Sequence, residues 1–277
     1  MSLFAVDTEK CQRDGICADE CPLRLIVWKD KNSFPRPVPN AGEFCINCGH
    51  CVAVCPTGAL SLKTMTPEQC PPVKQDWLLN SEEAEHFLRA RRSIRTYKSQ
   101  PVPQETLAKL IDIARFAPSG HNRQPVRWIV VSGEKEVAKL AGIVADWMRH
   151  VLKTEPETGK MMYLDRVVKA WESGVDTICR KSPHIVIAHA AKADRTAPPA
   201  CFIALSYLEL AAPALGLGAC WAGYFNMAAT LWQPMQKALE LPAENISFGA
   251  MMVGYPKYKY HRLPLRNEAQ IQWIQGK

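Results

Sequence analysis

The sequence predicts an α+β protein built in two parts. A small cysteine-rich module covers residues 1–70, a stiff linker covers 71–80, and an α+β domain with a central sheet flanked by helices covers 81–277. Three observations carry this reading. Seven of the eleven cysteines fall within the first 55 residues. Two adjacent prolines, Pro71 and Pro72, follow the module. From Ser81 onward, apolar residues at helical spacing alternate with β-rich runs, the pattern of a layered mixed fold.

Each element has its own justification. Residues 1–70 show little apolar periodicity, and so small a unit depends on metal or cross-links to hold one conformation. The stretch 69–74 (QCPPVK) reads as linker, because paired prolines forbid a helix and stiffen the chain. Ser81-Glu82-Glu83 reads as an N-cap with an acidic first turn, opening a helix to about Arg91. Leu107, Leu110, Ile111 and Ala114 mark a helix over 103–116, stopped by Ala117-Pro118-Ser119-Gly120. Residues 126–132 (VRWIVVS) read as a strand, 134–152 as a helix, and 160–179 as containing another helix. A second strand is expected at 184–190. The stretch 200–215 is apolar on nearly every face and reads as a core or interface helix. The run 219–224, a helix over 228–239 and a strand over 246–254 complete the domain.

Charge narrows the function classes. The chain carries a formal +7, but residues 1–70 hold seven Lys/Arg against eight Asp/Glu, so the positive surplus lies wholly in the second part. No basic run accompanies it, so nucleic acid is not an expected partner. A solvated surface with one anion site accounts for the surplus. The longest apolar tract, 197–225, contains Glu209 and Pro213, which fits a buried helix better than a membrane span. The start MSLFAVDTEK has no cationic segment and only a short apolar run, so no secretory signal is expected. Reduced thiols then place the protein in the cytoplasm.

The cysteines form two copies of one pattern, offset by 34 positions. Cys11, Cys17 and Cys21 map onto Cys45, Cys51 and Cys55; Gly15 maps onto Gly49 and Pro22 onto Pro56. The second copy reads Cys45-x2-Cys48-x2-Cys51-x3-Cys55-Pro, the bacterial spacing for cubane iron–sulfur clusters, in which the fourth cysteine serves the other cluster. One 4Fe-4S cluster is therefore expected on Cys45, Cys48, Cys51 and Cys21. The other is expected on Cys11, Cys17 and Cys55, with Asp14 at the register of the missing cysteine. Asp14 ligates iron, or that site holds a 3Fe-4S cluster, or hydroxide fills the corner; a four-iron cluster with a labile corner at Asp14 is the reading adopted. Zinc prefers two CxxC pairs, which neither the three-residue rhythm nor the Cys-Pro step supplies.

Three further segments carry a second chemistry. Arg91-Arg92-Ser93-Ile94-Arg95 joins guanidinium forks to a hydroxyl, a set suited to phosphate. Residues 117–125 (APSGHNRQP) offer Ser, Asn and Gln to a heterocycle's imide edge, and residues 216–223 (GLGACWAG) let backbone approach a flat ligand. In this order, over 81–277, the segments resemble those of the FMN-dependent nitroreductase family: RRSxR, AxSxxNxQPW, GLGTCW and a closing GYP…R, here Gly254-Tyr255-Pro256 with Arg262. Val126 departs from the family's frequent tryptophan. With its leading bacterial ferredoxin-like module, the chain resembles ferredoxin–nitroreductase fusions.

The resemblance implies a nitroreductase-like α+β flavin fold. It implies that Arg91, Arg92, Ser93 and Arg262 hold the FMN phosphate and ribityl chain, and that Arg95 lies near the pyrimidine edge. Ser119, Gly120, Asn122 and Gln124 would bracket the ring and ribityl hydroxyls, with Cys220, Trp221, Ala222 and Gly223 over one face. It also implies a homodimer. No side chain is assigned as catalytic, because the flavin carries the chemistry. The expected function is an FMN-dependent oxidoreductase that passes electrons from a low-potential donor such as ferredoxin, through two clusters and FMN, to a small organic substrate. The alternatives are dehalogenation, alkene reduction, direct reduction by NAD(P)H, or a non-catalytic relay or redox sensor.

Overall fold

The computed structural model of the chain describes residues 3–276. The described residues divide into two compact units, 3–78 with 119–124 and 79–118 with 125–276.

The first unit contains β1 (Phe4–Val6), α1 (Ile16–Asp19), β2 (Ile26–Val27), β3 (Arg36–Pro37), α2 (Ala41–Phe44), α3 (His50–Ala53) and β4 (Leu60–Leu62). β1 pairs antiparallel with β4, Phe4 opposite Leu62, and β2 pairs antiparallel with β3. The 34-residue duplication is visible in the backbone. Gly15 and Gly49 precede α1 and α3 at φ +79° and +75°. A Cβ on Gly15 would lie 2.5 Å from Trp28, and one on Gly49 2.5 Å from the Met65 sulfur, so neither position admits a side chain. The buried core is small: Phe4, Cys17, Ala18, Ile26, Val52, Leu60 and Leu62.

The second unit follows with α4 (Ser81–Ala90), α5 (Gln104–Ala114), β5 (Arg127–Ser132), α6 (Glu134–Thr154), α7 (Pro156–Met161), α8 (Leu164–Glu172), β6 (His184–Ala191), α9 (Ala197–Ala211), β7 (Gly218–Trp221), α10 (Gly223–Leu231), α11 (Gln233–Ala238) and β8 (Asn245–Gly254). The four strands form one sheet in the order β5-β6-β8-β7, antiparallel throughout. Alternate residues feed opposite faces, as the period of a strand requires. Ile185, Ile187, Cys220, Ala250 and Met252 join one core with α6, α8 and α10. Val186, Ala188, Ala219, Met251 and Val253 join the other with α5 and α9. The tract Ala197–Leu215 is long and apolar enough to cross a membrane, yet Ala197, Cys201, Leu205 and Leu208 pack into this second core.

Two local expectations need correction and a third gains its bounds. Asn80, not Ser81, caps α4: its Oδ1 accepts from Glu83 N–H at 3.0 Å, and the Glu83 carboxylate accepts from Asn80 N–H at 3.0 Å. The helix expected within 160–179 is α8, which stops at Glu172; Tyr163, at φ +56°, separates it from the short α7 before it. The helix expected over 228–239 is two. Trp232 is extended (φ −115°, ψ 109°) ahead of Gln233-Pro234, and proline cannot continue the hydrogen-bond ladder.

His184 and His189 are core histidines with partners. His184 Nε2 accepts from Val102 N–H at 2.9 Å, leaving Nδ1–H to donate to Ser132 Oγ at 3.2 Å. His189 Nδ1 accepts from the Asn245 amide at 3.0 Å. Burial holds both below the ordinary histidine value, with Arg127 adding to the effect at His189. A lowered histidine favours the neutral folded form, so its contribution is complete above the unfolded value of about 6.5 and is lost as pH falls below it. Melting temperature is expected to hold from pH 8 to 7 and to fall below about pH 6.5. Gln at this place does not titrate, so His184→Gln should flatten part of that fall; an identical pH profile would remove His184 as its source.

Candidate functional site

In the first unit the thiols gather into two sets, and each set draws its fourth member from the other copy. One cavity is lined by Cys45, Cys48, Cys51 and Cys21. The other is lined by Cys11, Cys17, Cys55 and Asp14. Backbone geometry explains the presentation. Arg13 and Gly15 take left-handed φ of +55° and +79° on either side of Asp14; Asn47 and Gly49 take +53° and +75° on either side of Cys48. Asp14 thus occupies the same kink as Cys48. Its Oδ1 accepts from Ile16 N–H at 3.3 Å. Cys21 Sγ accepts from Leu25 N–H at 3.3 Å and Cys55 Sγ from Ala59 N–H at 3.2 Å, again the same bond in both copies.

The thiols surround space rather than a point. Among the described residues no three His, Cys, Asp or Glu side chains stand close enough to hold one metal ion. Four thiols around a cavity suit a multi-iron cluster better than tetrahedral zinc, whose ligands all lie about 2.3 Å from one centre. Burial, then the neighbouring acidic groups, pushes Cys17 and Cys51 up to about 11. At Cys55 burial also raises the thiol, but hydrogen bonds from Ala59 and Thr57 outweigh it and leave it lowered. Metal binding at these thiols therefore releases protons.

The segment 119–124 groups with this unit. His121, Asn122 and Gln124 all take left-handed φ, from +48° to +52°. Asn122 Nδ2 donates to the carbonyls of Asn47 at 2.9 Å and Ile46 at 3.2 Å, the two residues between Cys45 and Cys48. Gln124 donates from Nε2 to Asn122 Oδ1 and from its backbone N–H to Ser119 Oγ.

In the second unit the other motif segments lie side by side. Ile94 N–H donates to Ala219 O at 2.9 Å, seating residues 91–95 along β7. Tyr97 bridges to Pro256, and Lys98 and Lys257 bond Tyr255 and Thr96 across the same junction. The contact is tight: a Cβ on Gly218 would stand 2.3 Å from Ile94 Cγ1 and 3.0 Å from Pro256. Cys220 is buried with its side chain in the core, followed by Trp221 and buried Ala222. A Cβ on Gly223 would meet nothing within 4 Å, so the chain there borders open space.

The arginines are not equivalent. Arg91 Nη1 donates to Glu209 at 2.8 Å and reaches Ser93 Oγ at 3.4 Å. Arg92 donates from Nη2 to the Arg89 carbonyl, while its Nε is buried without a hydrogen-bond partner among the described residues. A buried donor without a partner calls for an explanation, and the arginine-rich surroundings point to an anion. A cavity of about 760 Å³ is lined by Arg89, Arg91, Arg92 and Arg266, with Glu85 the one acid. Arg95 is exposed and lies within electrostatic reach of Tyr97 and Cys220. Arg262 is exposed beyond β8 and does not line this cavity; Arg266 does. Spacing to the GYP motif favoured Arg262, and no sequence signal singled out Arg266. Glu209 did carry a signal, as the one charged residue within 197–225.

A paired-thiol module joined to a sheet domain with an arginine-lined anion cavity defines an iron–sulfur oxidoreductase class. Residues 88–255 match the model of the Nitroreductase family, and the chain belongs to that family. Residues 9–60 match the 4Fe-4S dicluster domain, so the chain is a ferredoxin–nitroreductase fusion. An NADH dehydrogenase of Thermus thermophilus is 30% identical over 198 residues, covering 66% of this chain and 92% of that protein. An iodotyrosine deiodinase of Thermotoga neapolitana is 26% identical over 186 residues, covering 66% and 93%. A Bacteroides fragilis nitroreductase with bound FMN superposes with a TM-score of 0.59 at 18% identity, covering 71% of this chain and all of that one, which shows the shared fold.

Proposed function

We propose that the chain takes electrons from a low-potential donor such as a ferredoxin and delivers them to a small organic substrate. It would do so with two iron–sulfur clusters and FMN. The observation that carries this is the exchange of the fourth cysteine between the two thiol sets, which is the arrangement of a two-cluster electron carrier. When bound, the clusters supply one-electron transfer and the flavin couples it to two-electron reduction of the substrate.

The residues divide the work. Cys45, Cys48, Cys51 and Cys21 would hold one cluster; Cys11, Cys17, Cys55 and Asp14 would hold the other, with the Asp14 oxygen the easier ligand to displace. Arg92 presents its orphan Nε to the flavin phosphate, with Arg91 and Ser93 beside it. Cys220, Trp221, Ala222 and Gly223 border the ring, and Arg95 offers a cation to its electron-rich edge. Asn122 ties the 119–124 segment to the carbonyls beside Cys48. Phe202, Ile203 and Tyr207 stay exposed on α9, which supports a homodimer through that helix. A reducing cytoplasm suits the free thiols.

The test is anaerobic purification with iron, sulfide and flavin analysis, then stopped flow. About eight irons and one FMN per chain are expected, with flavin bleaching by reduced ferredoxin faster than by NADH. Colourless protein refutes the reading. Bleaching by NADH that is unaffected by removing the clusters favours direct reduction, the activity that the name of the Thermus relative suggests.

A further inference from the structure

Glu209 is the one charged residue in an apolar tract of 29 residues, and it is buried on α9. Its carboxylate binds Arg91 across 118 positions of sequence, with only 8% of the Glu209 side chain exposed and 27% of Arg91. A buried ion pair is a weak source of stability, since desolvation of both charges offsets their attraction. An apolar pair would hold α9 to the 91–95 segment as well. A carboxylate beside an anion cavity also opposes any anion that enters. A different role is therefore sought for it.

The geometry supplies one. With Nη1 engaged by Glu209 and near Ser93 Oγ, Arg91 is pinned and much of its charge is neutralised. Its neighbour Arg92 keeps a buried Nε with nothing to bond. Arg89 and Arg266 complete a positive wall around the same cavity. We propose that Glu209 is a positioning residue: it fixes Arg91 as a strut so that Arg92 faces the phosphate of a flavin mononucleotide, and it thereby sets the preference for phosphorylated over unphosphorylated flavin. This rests on the flavin reading of the preceding section.

The experiment strips the full chain of flavin and measures Kd for FMN and for riboflavin by flavin fluorescence quenching. Riboflavin shares the ring and ribityl chain but lacks the phosphate, so the ratio of the two constants isolates the phosphate contact. Arg92→Ala should weaken FMN by about tenfold or more and leave riboflavin unchanged. Glu209→Ala should lower the FMN/riboflavin preference several-fold with riboflavin again unchanged. Glu209→Gln, which keeps an acceptor for Arg91, should restore most of it. FMN and riboflavin weakening together in Glu209→Ala would show a general packing role and overturn the proposal, as would an unchanged ratio. If Glu209→Ala does not fold, Glu209→Asp, which keeps the charge and shortens the reach to Arg91, takes its place under the same criteria. Wild-type chain that binds neither flavin, or both equally, would instead overturn the flavin-phosphate reading itself.

Discussion

A Cys51→Ala chain is expected to lose about half of its iron and nearly all of its ferredoxin-driven flavin reduction. Cys51 sits on α3, partly buried, and lines the cavity shared with Cys21, Cys45 and Cys48. Removing one thiolate from four leaves an open corner on a cluster that the small module relies on for its shape. Among the described residues the main buried cluster of that unit holds seven side chains, too few to fix the loops without metal. Iron should fall from about eight to about four per chain, and transfer from reduced ferredoxin should slow by more than about a hundredfold. Dithionite, which reaches flavin without the clusters, should still bleach it. Iron analysis, EPR and stopped flow read all three. Full iron content with normal transfer would strike Cys51 from the ligand set.

Gly218→Val should empty the flavin site while leaving iron untouched. A Cβ at this position would lie 2.3 Å from Ile94 Cγ1, 2.8 Å from Ile94 Cβ and 3.0 Å from Pro256. Valine adds two methyls to that collision, so the 91–95 segment has to leave its seat along β7 or the strand has to bend. Overpacking of this kind costs about 1–3 kcal/mol, which for a unit of this size lowers Tm by about 2–4 °C per kcal/mol. The larger effect is on binding, because Arg91, Arg92 and Ser93 move with Ile94. FMN content of the purified chain is expected to drop by more than about tenfold. Normal flavin occupancy in the variant would show that this seat does not position the phosphate residues.

The cysteine sets were legible in the sequence because ligand chemistry writes itself into spacing. A loop that must aim a thiol at a cubane face has a fixed length, and Gly15 and Gly49 mark its left-handed kink. The sheet was legible for a related reason: strands buried on both faces, such as 185–188 and 250–253, leave unbroken apolar runs. Other features depended on contacts that no local pattern encodes. Asn80 and Ser81 are both good caps, and only the backbone angles choose between them. The break at Trp232 follows from Pro234, yet the apolar period runs on through it. The Arg91–Glu209 pair spans 118 residues. Spacing pointed to Arg262, whereas chain course brings Arg266 to the cavity, and the irregular stretch after β8 has no period from which to read that.

The matching kinks at Asp14 and Cys48 mean that the two centres differ in one side chain on a common scaffold. Hard oxygen and soft sulfur are offered from the same backbone, so their exchange asks for no rebuilding of the loop. If Asp14 and Cys48 serve as the proposed ligands, a single codon would decide whether that corner of the protein is a site where iron comes and goes or one where it stays.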